Sequence, residues 1–327
     1  MRRVDIERIL CPIDFSEFSR DALDHAVALA TWYRARLTLM HVIEVPTVPI
    51  DVGPGQAVAL PQLPDRDKVA EDLRAFARPA ITRGDQPLEV VVTIGVPAPA
   101  IHAQTEQTRA DLVVVATRGR SGLQRFLLGS VAEKLLRSLP IPLLIVPPPV
   151  KKPETVVYET ILCPIDFSDE SMRALDYALS LAQESGARVI LLHVLEGMVD
   201  GLDPEQVRNI SVGEYLRNAA QDASERLRAA VPEEARVWAR PVERTARGRA
   251  YRQILAAAED EKAGLIVMGV RGRGALNRMF FGSTTEHVIR EARCPVLTLH
   301  AAVPADRAAS AGSTDVDASA TADTESL

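Results

Sequence analysis

The sequence predicts an α/β chain built from two tandem doubly wound domains, each a five-stranded parallel sheet with helices on both faces. Three observations predict it. The octapeptide ILCPIDFS stands at positions 9–16 and again at 161–168. Strand and helix signals alternate strictly within each copy, which implies a parallel sheet with right-handed crossovers. A length of 327 residues suits two domains of roughly 150 residues each.

The elements follow in order. A short apolar run at 8–13, ending at a proline, is the first strand, and Ser16 is a candidate N-cap for the first helix. In that helix Ala22, Leu23, Ala26, Val27 and Ala30 share one face. The second strand is expected at 37–42, the second helix at 65–83, the third strand at 88–94 and the third helix at 98–108. The continuous apolar run 112–116 reads as a strand buried on both faces. A fourth helix at 130–139 and a fifth strand at 143–146 complete the copy. In copy two the strands are expected near 161–165, 189–194, 237–244, 265–269 and 296–300. The copies are offset by 152 residues at first and by 153 later, so one residue has been inserted or lost in a middle segment. We assign the domains to 1–149 and 157–303, a linker to 150–156, where Pro153 and the preceding Pro147-Pro148-Pro149 favour extended backbone, and a disordered tail to 304–327, where Ala, Ser, Thr, Asp and Gly dominate.

Composition excludes several classes. A net charge of −6 argues against a general nucleic-acid binder. No stretch approaches the ~20 apolar residues of a membrane span, and no apolar segment follows the first arginines as in a signal peptide. Cys11, Cys163 and Cys294 form neither a C-x-x-C pair nor a metal-type spacing, and read as buried hydrophobes. A reducing cytoplasm fits these features.

Doubly wound sheets bind ligands beyond the carboxyl ends of their strands. Two places meet that condition. One is Pro12-Ile13-Asp14, repeated as Pro164-Ile165-Asp166. A carboxylate there can accept hydrogen bonds from ribose hydroxyls or an adenine amino group, or it can serve as an acid at a helix start. The other follows the fourth strand. Copy two carries Gly269, Arg271, Gly272, then Gly282, Ser283 and Thr284; copy one carries Ala116, Arg118, Gly119, then Gly129, Ser130 and Val131. Glycines let backbone approach a ligand, and a helix opening at Gly-Ser offers free N–H groups to a phosphate. The competing view is loop glycine plus an N-cap serine, and its repetition at one spacing in both copies argues against it. Arg118, Arg120, Arg125, Arg271, Arg273 and Arg278 either offset phosphate charge or are solvated. His41 and His193 read as satisfied strand-end side chains.

These motifs resemble those of the universal stress protein family over both copies. Its ATP-binding members carry G-x-x-G-x9-G-[S/T], which Gly269, Gly272, Gly282 and Ser283 match fully, while copy one has Ala116 at the first glycine. The resemblance implies strand order 3-2-1-4-5, a site between strands one and four, adenosine contacts from Asp14 and Asp166, and backbone contacts to adenine from Val42 and Val194. It implies ATP, with or without Mg2+, as the cofactor. An alanine at position 116 would push the loop off the ligand if its φ were positive, and would be harmless otherwise.

The function expected is a cytoplasmic, ATP-binding stress-response regulator without fast catalysis. A nucleotide-independent interaction scaffold and a slow ATPase are the alternatives. No G-x-x-x-x-G-K-[S/T] loop occurs. The tandem pair is expected to replace a homodimer, with the fifth strands at the domain interface, since each would otherwise be an exposed apolar edge. A homodimer of the whole chain is left open.

Overall fold

The computed structural model describes residues 4–45, 63–81, 88–117, 128–148, 156, 158–196, 212–270 and 282–300. The linker assigned to 150–156, apart from Val156, and the tail assigned to 304–327 lie outside the described residues.

Copy one runs β1 (Arg8–Pro12), α1 (Glu17–Tyr33), β2 (Arg36–Ile43), α2 (Arg66–Ile81), β3 (Leu88–Ile94), α3 (Pro97–Thr108), β4 (Leu112–Ala116), α4 (Ser130–Ser138) and β5 (Leu143–Val146). Copy two runs β6 (Thr160–Pro164), α5 (Asp169–Ser185), β7 (Arg188–Leu195), α6 (Val212–Ala230), α7 (Glu233–Ala239), β8 (Val242–Arg247), α8 (Ala250–Asp260), β9 (Leu265–Gly269), α9 (Ser283–Glu291) and β10 (Val296–Leu299). Within each copy the strands are parallel in the order 3-2-1-4-5.

The two half-sheets join into one. The full order is β3-β2-β1-β4-β5-β10-β9-β6-β7-β8, and among the described residues the only antiparallel contact in it joins β5 to β10. Leu144 faces Leu297 at the centre of that ladder, and the Thr298 hydroxyl donates to the Leu143 carbonyl at 3.0 Å. Neither fifth strand is therefore an open edge. Helices α1, α2, α5, α6 and α7 bury their apolar faces on one side of the sheet, and α3, α4, α8 and α9 on the other.

Local chemistry explains the elements. In α1, Ser16 takes an extended backbone and its hydroxyl accepts from the Ser19 amide at 3.1 Å, as an N-cap should. Ala22, Leu23, Ala26, Val27 and Ala30 are all buried on one face. Burial holds the thiols of Cys11 and Cys163 protonated by pushing them far above their ordinary range, so neither offers a thiolate nucleophile.

One expected strand is corrected. Residues 237–244 do not form a single strand: the segment is split between helix α7 and strand β8. Pro232 stands at the N-cap position, and Glu233 and Glu234 occupy the first turn, where acids favour the helix dipole. Ala235 and Ala239, four apart, supply the buried face, while Val237 is 83% exposed. The β-branched and aromatic content of Val237-Trp238 mimics a strand, but its burial follows the helical period.

The two halves also exchange side chains near their axis. Tyr158, which precedes β6, is fully buried against α1 of copy one: its hydroxyl lies 2.8 Å from His25 Nδ1, and its ring meets Trp32 edge-on. In return the Val4 carbonyl accepts from Ser180 of α5. Burial pushes the His25 imidazole down to about 4 from its ordinary 6.5. The unfolded chain therefore takes up this proton before the folded chain does. Stability from this group is complete above pH 6.5 and is lost as the pH falls toward 4, by at most about 3 kcal/mol. Urea unfolding at pH 7 and pH 4.5 should show this loss in the wild type and a smaller one in His25→Phe. Equal losses would remove His25 from the account.

Candidate functional site

In each copy the sheet opens where the crossovers change direction. β1 pairs with β2 through five residues but with β4 only at Ile9–Leu112 and Leu10–Val113. β6 likewise pairs with β7 through five residues and with β9 only at Ile161–Leu265 and Leu162–Ile266. The carboxyl ends of the first and fourth strands thus part, at the point where such sheets bind ligands. Pro12 and Asp14, with Ala116, flank this opening in copy one; Pro164 and Asp166, with Gly269, flank it in copy two. Val42 and Val194 lie one strand away, in register with Thr93 and Ala246.

The Pro-x-Asp turn is built identically twice. Ile13 donates its amide to the Met40 carbonyl at 2.8 Å, and Ile165 donates to Leu192 at 2.8 Å. Oδ1 of Asp14 accepts from the Ser16 amide at 3.0 Å and from its hydroxyl at 2.5 Å; Oδ1 of Asp166 accepts from Ser168 at 3.0 and 2.5 Å. Each carboxylate is partly exposed and oriented by the start of the following helix. Between Asp and Ser stands a phenylalanine with a left-handed backbone, Phe15 at φ 64° and Phe167 at φ 63°. This conformation costs an L-residue about 1–2 kcal/mol and is an outlier for a bulky side chain. Strain of this kind persists where surrounding structure holds it.

The second strand packs against this turn. The Phe15 ring lies 4.7 Å from the His41 ring, and the Phe167 ring 4.9 Å from the His193 ring. His41 Nδ1 stands 2.7 Å from the Ile13 carbonyl, and His193 Nδ1 2.6 Å from the Ile165 carbonyl. The two histidines are satisfied strand-end side chains, as expected, but they engage the site's own backbone. The left-handed phenylalanines were not legible in the sequence. Their recurrence between Asp and Ser in both copies was the available signal.

The second half of the site closes on the fourth strand. Thr117, after β4, bonds its amide to the Val146 carbonyl at 2.9 Å, and Gly129 returns to donate to the Thr117 carbonyl at 2.6 Å. In copy two, Val270 donates to Leu299 at 2.9 Å, and Gly282 donates to Val270 at 3.1 Å. The chain thus leaves and rejoins one point, and sets the start of α4 or α9 beside the opening. Gly129 and Gly282, not the serines, are the N-caps, and neither helix has a side-chain cap. Ser130 and Ser283 are first helical residues with exposed side chains; Val131 and Thr284 follow them. The first intrahelical bonds begin only at Glu133 and Glu286, so the N–H groups ahead of them remain for an anion. Glu133 and Glu286 are themselves neutralised by Arg137 at 3.0 Å and Arg290 at 2.6 Å.

Ala116 and Gly269 both end strands, in register with Val146 and Leu299, and neither has a positive φ. The backbone objection to alanine at position 116 therefore falls. Thr285 adds a bond in copy two alone, from its hydroxyl to the Gly269 carbonyl at 3.0 Å; copy one has Ala132 there. Arg118, Gly119, Arg271 and Gly272, and the arginines at 120, 125, 273 and 278, lie outside the described residues. Among the described residues, no group of three or more His, Cys, Asp or Glu could hold a metal ion. No helix among them is long and apolar enough to cross a membrane.

Comparison with known proteins agrees with this architecture. The family model "Universal stress protein family" matches residues 5–147 and 157–300. A universal stress protein of Thermus aquaticus is 38% identical over 146 residues, covering 43% of this chain and 98% of its own length. One from Mycolicibacterium smegmatis is 27% identical over 316 residues, covering 89% of this chain and 96% of its own length. The crystal structure of a universal stress protein from Archaeoglobus fulgidus aligns with a TM-score of 0.60 at 25% identity, over 90% of this chain and 96% of that one. With two matches that span most of its length, the chain belongs to the universal stress protein family.

Proposed function

We propose that this chain is a nucleotide-binding regulator of a cytoplasmic stress response, that its ligand is ATP with or without Mg2+, and that it performs no fast catalysis. The observation that carries this reading is the juxtaposition, built twice, of an oriented carboxylate and a helix N-terminus without a side-chain cap across parted strand ends. In this reading the domains are 1–149 and 157–303. Asp14 and Asp166 accept from ribose hydroxyls, and backbone at Val42 and Val194 meets adenine. The N–H groups and hydroxyls at Ser130 and Ser283 receive phosphate, and Pro12 and Pro164 form the walls. Gly119 and Gly272 let the loop approach the phosphates, and Arg118 and Arg271 offset their charge. ATP biases the domain pair between partners rather than feeding a reaction.

Gly282→Asp tests the reading. Gly282 has an ordinary extended backbone, φ −64°, which aspartate adopts without strain, and aspartate is a favoured N-cap for α9. Its carboxylate then occupies the anion position. Titration with labelled ATP should show site-two affinity reduced at least about tenfold, ~1.4 kcal/mol, with bound nucleotide per chain falling by one and the melting temperature of the ligand-free protein held or raised. Binding equal to wild type, or no saturable wild-type binding below millimolar ATP, would sink the proposal. The scaffold alternative predicts unchanged melting in excess ATP, because a ligand selective for the native state must raise stability.

A further inference from the structure

We propose that His41 and His193 are positioning residues for the nucleotide-site carboxylates, each locking the Pro-x-Asp turn from the neighbouring strand. The inference rests on the nucleotide reading and assigns the histidines a role within it.

The geometry brackets one residue. A carbonyl can only accept, so His41 Nδ1 carries the proton it donates to the Ile13 carbonyl at 2.7 Å. Ile13 immediately precedes Asp14. The same imidazole packs on Phe15, which immediately follows Asp14, at 4.7 Å between ring centres. His193 does the same to Ile165 at 2.6 Å and to Phe167 at 4.9 Å. Both neighbours of each aspartate are therefore held by one ring on the adjacent strand. The left-handed turn at Phe15 and Phe167 has no intrinsic preference to sustain it. Released from the Nδ1 hydrogen bond, it relaxes toward extended backbone and carries the carboxylate off the amide and hydroxyl of Ser16 or Ser168.

The outer support differs between copies, which isolates the histidine as the shared part. Phe15 has the edge of Phe76 against it at 5.6 Å, with Arg20 stacked on Phe76 at 3.9 Å. Phe167 instead has the Arg226 guanidinium directly over it at 3.8 Å. Two unlike outer contacts accompany one identical inner lock.

Two paired variants of the full chain separate donor from ring. His41→Phe with His193→Phe keeps a ring and removes the donor. His41→Asn with His193→Asn places an amide N–H near the Nδ1 position and removes the ring. ATP titration should show affinity reduced about tenfold or more in the phenylalanine pair and recovered to within about threefold of wild type in the asparagine pair, while both pairs lower the melting temperature. A purely structural role would make affinity follow melting. A second readout needs no ligand: the Ser16 and Ser168 amides, bonded to carboxylates, should exchange with solvent faster in the phenylalanine pair and stay protected in the asparagine pair. The single His193→Phe serves if the double variant does not fold. Unchanged affinity and protection in the phenylalanine variants, or asparagine variants no better than these, would overturn the inference. Intact amide effects with no wild-type ATP binding would overturn the nucleotide reading instead.

Discussion

Replacing Tyr158 by alanine is expected to destabilise the whole chain by about 3–5 kcal/mol, the range for deleting a buried aromatic side chain. Tyr158 is 1% exposed. Its ring meets Trp32 at 5.3 Å and His25 at 5.7 Å, and its hydroxyl is bonded to His25. Alanine would open an apolar void where neither domain can close it alone, because Tyr158 belongs to copy two and its partners to copy one. Tyr158→Phe keeps the packing and leaves His25 without that bond, so about 1 kcal/mol should be lost. Urea unfolding followed by both tryptophan fluorescence and circular dichroism checks both values. A Tyr158→Ala chain within 1 kcal/mol of wild type would mean that the two halves do not share this core.

The second large effect concerns the strand seam. Leu144→Asp should cost more than about 4 kcal/mol, because it buries an unpaired carboxylate in an apolar ladder. Leu144 is 1% exposed and faces Leu297 across the antiparallel pairing of β5 with β10. The expected result is separation of the halves. With a protease site placed in the 150–156 linker, cleaved wild-type halves should co-elute on size exclusion and cleaved Leu144→Asp halves should not. Co-elution of the mutant halves would place their adhesion elsewhere than β5 and β10.

Much of this architecture was legible in the sequence because its signals are local and repeated. The face Ala22, Leu23, Ala26, Val27 and Ala30 is a helical period, and it is buried as that period requires. Leu112–Ala116 is apolar on both faces and lies inside the sheet. The illegible parts are those where two local preferences compete. Val237-Trp238 has strand composition, yet the alanines at 235 and 239 set a helical spacing, and burial followed the spacing. Gly282-Ser283 offers two residues able to precede a helix, and the glycine took the N-cap because its amide is held by the Val270 carbonyl. Phe15 and Phe167 adopt a backbone that no phenylalanine prefers. That turn is surrounded by tertiary contacts, from His41 and His193 on the inner side and from Phe76 or Arg226 on the outer. Whether Ala116 spoils the first site depended on one dihedral angle, which the strand at β4 supplies.

The small apolar cavity between the halves is lined by Ile6, Leu29, Leu112 and Leu144 from copy one and by Tyr158, Leu181, Leu265 and Leu297 from copy two. These are the same four positions taken twice, and three of the four equivalent pairs are leucine with leucine. The fourth sets Tyr158 against Ile6. In a symmetric homodimer a residue near the axis meets its own copy, so a tyrosine here would bring two phenol rings into a space that holds one. Covalent fusion lifts that restriction. Once both halves lie on one chain, each side of the axis mutates separately, and a bulky residue can be admitted on one side while its mate stays small. The Tyr158–Ile6 pair uses that freedom: at this one position of the shared cavity the two halves present unlike residues, so the pseudo-symmetry of the molecule is broken at its own axis.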